Sequence, residues 1–217
     1  MLADDRLTLR SGVARRVLHD EYFLRAKREG YLARSAYKLL EINERFRLLR
    51  PGQRVLDAGC APGSWLQVAS QLVGPRGVVV GFDLSAVRHP MPANVRTVVA
   101  DVRSLDSTAL VTLAGGRFDA VISDMAPSTT GHGDDLVSAR LCRSLLDALP
   151  GLLAPSGRLV MKTLEGAETP PLLGEARGRF TSARLFKPKA SRGPSRETYL
   201  VAEGYRPPHT DSRVATP

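Results

Sequence analysis

The stretch that decides the fold is Arg54-Val-Leu-Asp-Ala-Gly-Cys-Ala-Pro-Gly-Ser-Trp-Leu-Gln-Val-Ala69. A short apolar run leads into a glycine-containing turn and then into a helical pattern, which predicts a buried strand, a turn and a helix. Gly59 and Gly63 permit a close ligand approach that a side chain would block. A dinucleotide fingerprint needs a third glycine in the order G-x-G-x-x-G, and this turn lacks it. The turn therefore favours a nucleoside with a small charged tail over a pyrophosphate.

The same alternation of strand and helix continues along most of the chain. Seven apolar runs predict strands at Val55–Ala58, Val78–Phe82, Val95–Val99, Phe118–Ser123, Arg158–Lys162, Ala183–Phe186 and Thr198–Ala202. Helical patterns between them cover Ser64–Leu72, Asp134–Leu153 and about Glu168–Phe180. Strands that alternate with helices require crossover connections, which give a mainly parallel sheet with helices on both faces. The prediction is a doubly wound α/β fold with a seven-stranded sheet.

Four aspartates stand at the ends of successive predicted strands: Asp57, Asp83, Asp101 and Asp124. Ligands of such sheets bind beyond the carboxyl ends of the strands, where Asp83 could accept hydrogen bonds from ribose and Asp101 could approach an adenine edge. A single aspartate there more often caps the next loop. Four in succession favour a cationic or hydroxyl-rich ligand. Trp65 is a candidate for the same pocket, although a lone tryptophan is more often a core residue.

The charge of the chain is basic, and arginine supplies most of it. The formal net charge is +9 over 217 residues, with a sequence pI of about 10.1. This balance fits a polyanionic partner such as nucleic acid, and it equally fits an arginine-rich proteome. Only five of the 31 basic residues are lysines, namely Lys27, Lys38, Lys162, Lys187 and Lys189. Each lysine is therefore informative, because lysine can be tuned toward neutrality and arginine cannot.

Composition suggests one domain with short appendages. We expect an N-terminal extension at 1–19, a domain at 20–203 that begins with a basic helical stretch over Tyr22–Arg47, and a disordered tail at 204–217. Cys60 and Cys142 are far apart in sequence and, like the four histidines, lack metal-ligand spacing, so no metal site and no disulfide is expected. No apolar run is long enough for a membrane span. A cytoplasmic protein without membrane contact is the natural interpretation.

Several motifs together carry a resemblance to a known family. They are Arg25-Ala-Lys-Arg-Glu-Gly-Tyr31, Arg34-Ser-Ala-Tyr-Lys-Leu39, Asp57-Ala-Gly-Cys-Ala-Pro-Gly-Ser-Trp65, Ser123-Asp-Met-Ala-Pro127, Phe186-Lys-Pro-Lys-Ala-Ser-Arg192 and Arg196-Glu-Thr-Tyr-Leu-Val201. In this order and spacing they make the chain, from about Asp20 to Ala202, resemble the FtsJ/RrmJ family of ribosomal RNA 2′-O-ribose methyltransferases. Two departures from the family pattern are Cys60 and Ser64 in the glycine turn. A third is Leu164-Glu165, where Phe-Gln is usual, and it adds a negative charge near Lys162.

The resemblance implies a Rossmann-like fold, S-adenosyl-L-methionine as cofactor and a catalytic tetrad of Lys38, Asp124, Lys162 and Glu197. The residues expected to bind the cofactor are Asp57, Gly59, Pro62, Gly63, Trp65, Asp83, Asp101 and Asp124. The expected partner of this monomer is ribosomal RNA or the large ribosomal subunit, with a uridine of 23S ribosomal RNA as target. The basic N-terminal stretch and the segment with Lys187, Lys189, Arg192 and Arg196 would grip RNA phosphates.

Other functions remain open at this level. A transfer RNA or messenger RNA cap 2′-O-methyltransferase is the nearest alternative, and a non-catalytic RNA-binding protein would keep the charge without needing the tetrad. A nicotinamide-dependent oxidoreductase would share the sheet but needs the missing glycine fingerprint. The role of Lys162 is also open. It could accept the hydroxyl proton if burial and Lys38 lower its pKa, or hold the hydroxyl oxygen as a donor if the two carboxylates prevail.

Overall fold

The computed structural model describes residues 21–127, 133–191 and 195–208, and it contains the seven-stranded sheet that the sequence predicts. The strands are β1 (Arg54–Ala58), β2 (Val78–Asp83), β3 (Val95–Val99), β4 (Phe118–Ser123), β5 (Leu153–Leu164), β6 (Phe180–Phe186) and β7 (Glu197–Tyr205). Their order across the sheet is β3-β2-β1-β4-β5-β7-β6. Only β7 runs against its neighbours β5 and β6, so the sheet is mainly parallel, as expected.

The helices confirm three predicted segments and add one. They are α1 (the described residues 21–29), α2 (Ala36–Phe46), α3 (Ser64–Val73), α4 (Ser107–Ala114), α5 (Asp134–Leu152) and α6 (Thr169–Arg179). The helical stretch expected over Tyr22–Arg47 is two helices, because Gly30 has a positive φ of 78° and turns the chain between them. The sequence pattern missed α4. Asp106 begins that helix by accepting a hydrogen bond from the backbone N–H of Ala109.

Both faces of the sheet are covered. Val55 points to the face on which α2 and α3 lie, whereas its neighbour Leu56 points to the face covered by α4, α5 and α6. Successive side chains of a strand leave opposite faces, so strands that are buried on both sides contain continuous apolar runs. The prediction of helices on both faces is confirmed.

The end of the folded unit lies slightly beyond the expected boundary. β7 continues through Gly204 and Tyr205, past residue 203, because Tyr205 pairs with Phe180 and their ring centroids lie 5.2 Å apart in the core. The expected extension at 1–19 and residues 209–217 of the expected tail lie outside the described residues. Among the described helices, none is both long and apolar enough to cross a bilayer.

Candidate active site

Four elements bring the four expected catalytic side chains to one place. Lys38 comes from α2, Asp124 directly follows β4, Lys162 lies in β5, and Glu197 is the first residue of β7. β5 and β7 pair antiparallel with Leu164 opposite Glu197, two residues beyond Lys162. Opposite residues of a ladder and residues two apart share a face, so Lys162 and Glu197 project from the same side of the sheet.

The four side chains form an alternating row of charges. Lys38 Nζ donates to Glu197 Oε2 at 2.8 Å, and Glu197 Oε1 lies 4.0 Å from Lys162 Nζ. Lys162 Nζ is 3.1 Å from Asp124 Oδ1 and donates to the backbone carbonyl of Asp124 at 2.7 Å. Lys38 and Lys162 are only 8% and 7% exposed. Buried charges are tolerated when each is paired, and here two cations face two anions.

Glu197 is held as a carboxylate between the lysines. Burial raises its pKa, but the charge and hydrogen bond of Lys38 and the charge of Lys162 lower it further than burial raises it. The pKa of Glu197 therefore lies below its usual value. At neutral pH the residue is an anion that orients both ammonium groups.

Tyr199 is a site residue that the sequence prediction missed. Its hydroxyl donates to Asp124 Oδ1 at 2.7 Å, the same oxygen that faces Lys162. Burial raises the pKa of Tyr199 well above its usual value, and Asp124 raises it further, so the phenol stays protonated and acts as a donor. Tyr199 lies in the predicted strand Thr198–Ala202, two residues after Glu197. That alternation, which puts both side chains on one face, was the available signal.

Trp65 lies behind the tetrad. It is 2% exposed, stacks on Tyr199 with 5.9 Å between ring centroids, and its Nε1 donates to the backbone carbonyl of Ser35 at 2.9 Å. Its ring is absent from the residues that line the cofactor-sized cleft described next. Core packing against Tyr199 is the role that the contacts give this residue.

A cleft of about 410 Å³ opens beyond the carboxyl ends of the central strands. Of the expected cofactor residues, it is lined by Gly59, Asp83, Asp101 and Asp124. The rest of its wall includes the side chain of Arg103 and apolar side chains, among them Leu84, Val102, Met125, Val137 and Leu141. Asp124 borders both this cleft and the tetrad, so the two sites adjoin.

The two turn glycines serve different contacts. Gly59 has φ 79°, and a Cβ added there would clash with the side chain of Met125, so glycine lets the turn after β1 approach the segment after β4. Gly63 has φ 120°, and its added Cβ would meet Met91 and Leu32, which places it outside the cleft. Pro62, which follows a cis peptide bond, does not line the cleft either.

Asp83 and Asp101 line the cleft but also bind neighbouring backbone. Asp83 accepts one hydrogen bond at each oxygen, from the N–H groups of Ala61 (3.0 Å) and Ser85 (2.9 Å). A carboxylate offers about four acceptor positions, so Asp83 keeps capacity for a ligand. Asp101 accepts hydrogen bonds from the guanidinium and from the backbone N–H of Arg103, and these bonds lower the pKa of Asp101 to about 2. Its carboxylate is largely used by that pair, as the capping alternative expects.

Asp57, in β1, does not line the cleft, and neither of its carboxyl oxygens has a hydrogen-bond partner within the described part of the chain. The residue is fully buried. Burial raises its pKa well above the usual value, and the nearby charges of Asp124 and Asp83 act in the same direction. A buried polar group without a partner costs about 1–3 kcal/mol.

Among residues 21–127, 133–191 and 195–208, no cluster of three or more histidine, cysteine, aspartate or glutamate side chains could hold a metal ion. Cys60 and Cys142 are buried free thiols. Burial raises the pKa of Cys142 to about 12, so this thiol is unreactive at neutral pH.

Basic side chains border the site near the start of β7. Lys187 Nζ donates to the backbone carbonyl of Ser195 at 2.9 Å and lies 3.7 Å from Glu165 Oε2. Arg196 donates to the backbone carbonyl of Glu165. The negative charge that the sequence adds at Glu165 is therefore matched by Lys187. Lys189 is exposed on the adjoining short helical turn, and Arg192 lies outside the described residues.

Known proteins resemble this chain over most of its length. A family model described as FtsJ-like methyltransferase matches residues 31–205. A protein of Syntrophobacter fumaroxidans named ribosomal RNA large subunit methyltransferase E is 45% identical over 186 residues, covering 85% of this chain and 94% of the relative. A protein of the same name from Desulforapulum autotrophicum is 45% identical over 188 residues, covering 85% and 92%. A crystal structure described as a ribosomal RNA methyltransferase from Plasmodium falciparum superposes with a TM-score of 0.72 at 28% identity, covering 81% of this chain and 98% of that one.

Proposed function

Because this chain belongs to the FtsJ-like methyltransferase family, we propose that it transfers a methyl group from S-adenosyl-L-methionine to a ribose 2′-hydroxyl of large-subunit ribosomal RNA. One observation carries the proposal: Lys38, Asp124, Lys162 and Glu197 converge beside a cleft of nucleoside size. The target nucleotide proposed from the family resemblance is a uridine of 23S ribosomal RNA. The relatives' names support ribosomal RNA over transfer RNA or a messenger RNA cap.

The cleft suits the proposed cofactor in size and charge. Small-molecule sites usually occupy about 300–1,000 Å³, and the volume of about 410 Å³ falls in that range. S-adenosyl-L-methionine combines a nucleoside with a sulfonium cation and an amino-acid tail. Asp83 lines the cleft and has acceptor capacity for ribose hydroxyls, whereas Asp57 is fully buried and does not line it. Asp83 would hold the cofactor's ribose, with the backbone of Gly59 forming part of the same wall.

When bound, the cofactor supplies an electrophilic methyl group. The task of the tetrad is to hold the acceptor oxygen in line with it, because fixed geometry replaces most of the entropy cost of the encounter. Lys162 Nζ donates to the backbone carbonyl of Asp124 and forms an ion pair with its carboxylate, and an ammonium group has three donors. Its remaining donor is available to the ribose hydroxyl oxygen. These contacts support the holding role of Lys162 over the role of a base.

Lys38 and Glu197 position Lys162 from the other side. Glu197 bridges the two lysines through its two oxygens, at 2.8 Å and 4.0 Å. A donor-held hydroxyl would become acidic as its oxygen gains positive charge, so its proton would pass to solvent water late in the transfer and no strong base would be needed beforehand. One chain supplies all four residues, which supports action as a monomer. An enzyme of bacterial ribosomal RNA would work in the cytoplasm.

The experiment is to map 2′-O-methyl marks. Purified protein and labelled S-adenosyl-L-methionine are incubated in separate reactions with large ribosomal subunits, protein-free 23S ribosomal RNA, transfer RNA and capped messenger RNA, and the methylated nucleotide is located by primer extension. The proposal expects one uridine to be marked, and the Lys162→Ala variant to leave it unmarked. Methylation confined to transfer RNA or capped RNA would show that ribosomal RNA is not the substrate. Absence of methyl transfer to any RNA would overturn the proposed function.

A further inference from the structure

Helix α1 is fixed against the helix that carries Lys38. Arg25 Nε donates to Glu29 Oε1 at 2.8 Å, and the guanidinium lies 4.6 Å from the centroid of the Tyr37 ring. The Tyr37 hydroxyl donates to Glu29 Oε2 at 3.0 Å, and Tyr22 packs on the same ring at 5.4 Å. Tyr37 directly precedes Lys38. The inner face of α1, formed by Tyr22, Arg25 and Glu29 around the buried Ala26, is thus held beside the tetrad.

The outer face of α1 has a different composition. Phe23 is 61% exposed and Leu24 is 63% exposed, so two adjacent large apolar side chains face water. Lys27 lies four residues after Phe23, Arg28 lies four residues after Leu24, and both cations are exposed. Residues four apart lie one above the other on a helix, so this outer face presents two apolar side chains beside two cations.

We propose that the outer face of α1 binds unpaired RNA, with the Phe23 ring stacked on a base and with Lys27 and Arg28 on the flanking phosphates. The inference rests on the proposed function and adds a second contact point on the same substrate. Single-stranded RNA offers π faces and phosphates side by side, which is the pattern that an aromatic ring between cations complements. The chain's own residues 1–20 carry four arginines against three aspartates, so they complement Lys27 and Arg28 less well than a polyanion does.

Two measurements separate stacking from charge. We expect Phe23→Leu, which keeps an apolar side chain but removes the ring, to raise the KM for protein-free ribosomal RNA about tenfold, the order expected for one lost base stack, without changing kcat. Phe23→Tyr keeps the ring and should restore the KM.

Lys27→Ala should reduce the slope of log affinity against log salt by about one, whereas Phe23→Leu should leave that slope unchanged. Arg76→Ala, on the exposed turn before β2 and therefore at the amino ends of the strands, is the control and should change neither quantity.

Hydroxyl-radical footprinting identifies what covers Phe23. The free protein should be labelled there, and RNA should protect the ring. If Phe23 is labelled strongly only after residues 1–20 are deleted, the chain's own N-terminal segment covers α1. If raising the protein concentration without RNA protects Phe23, a second copy of the chain covers it. An effect of Phe23→Leu on large subunits but not on protein-free RNA would mean a ribosomal protein. Each of these results, or an unchanged KM, overturns the inference, whereas methylation by the unaltered protein would still uphold the proposed function.

Discussion

The hydroxyl of Tyr199 lies 2.7 Å from Asp124 Oδ1, and the same oxygen lies 3.1 Å from Lys162 Nζ. Asp124 is therefore held by a neutral donor on one side and a cation on the other. The phenol fixes the orientation of the carboxylate, and through it the position of the lysine. A residue outside the expected tetrad thus controls the geometry of two members of it.

Tyr199→Phe should lower kcat about tenfold while the Kd for S-adenosyl-L-methionine stays near normal, because Asp124 loses an orienting donor without any change in cleft shape. Loss of a hydrogen bond to a charged group costs about 1–3 kcal/mol of unfolding free energy. Single-turnover methylation and urea unfolding measure the two effects. Tyr205→Phe is the matched control, since the Tyr205 hydroxyl is buried without a partner among the described residues. Equal effects of both substitutions would contradict a specific role for Tyr199.

Lys162→Ala should abolish measurable methylation while cofactor affinity stays near normal, because the side chain contacts Asp124 and Glu197 and does not line the cleft. Calorimetric binding of S-adenosyl-L-methionine and a methyl-transfer assay test the two halves. Removal of one partner of a buried ion pair also destabilises, by about 3–5 kcal/mol, so assays belong well below the unfolding midpoint. Lys162→Arg keeps the charge and serves as the control for stability. Robust turnover by the alanine variant would exclude Lys162 from the mechanism.

Asp57 should make the protein less stable as pH rises, in contrast to most carboxylates. Its pKa is raised in the folded state, so its favourable contribution is complete below the unfolded value of about 3.9 and is lost as pH rises through the folded value. Asp57→Asn cannot ionise. The difference in unfolding free energy between this variant and the unaltered protein should therefore move in favour of the variant between pH 4 and neutrality. Denaturant unfolding across that range measures it, and a difference independent of pH would refute the assignment.

Local patterns were sufficient to predict the sheet, because its strands are short apolar segments, whereas the tetrad was expected only from the family resemblance. A buried parallel strand such as Val78–Asp83 is a continuous apolar run, and its end marks the ligand side of the sheet. Tyr199 could not be assigned in the same way. Its contact with Asp124 depends on how β7 pairs with β5, which is a long-range register that no single segment encodes.

The other differences also arise from tertiary contacts. The eight residues of α4 bury only Leu110 and Ala114, so their pattern is too short to indicate a helix without the cap at Asp106. Trp65 has the same sequence context whether it faces the cleft or the core, and the stack on Tyr199 decides the question. The carboxylate of Asp101 is occupied because the side chain of Arg103 turns back and donates hydrogen bonds to it.

Glu165→Gln should strengthen RNA binding. Glu165 Oε2 lies 3.7 Å from Lys187 Nζ, and both side chains are partly exposed, so the pair is worth at most about 1 kcal/mol. Loss of the carboxylate frees Lys187 for a phosphate, which should lower the Kd for RNA about two- to fivefold and steepen its salt dependence. Filter binding at several salt concentrations measures both changes. The gain should vanish in a Lys187→Ala background, because only the lysine can use the released charge. A gain of equal size in that background would show that Glu165 repels RNA directly, with no part for Lys187.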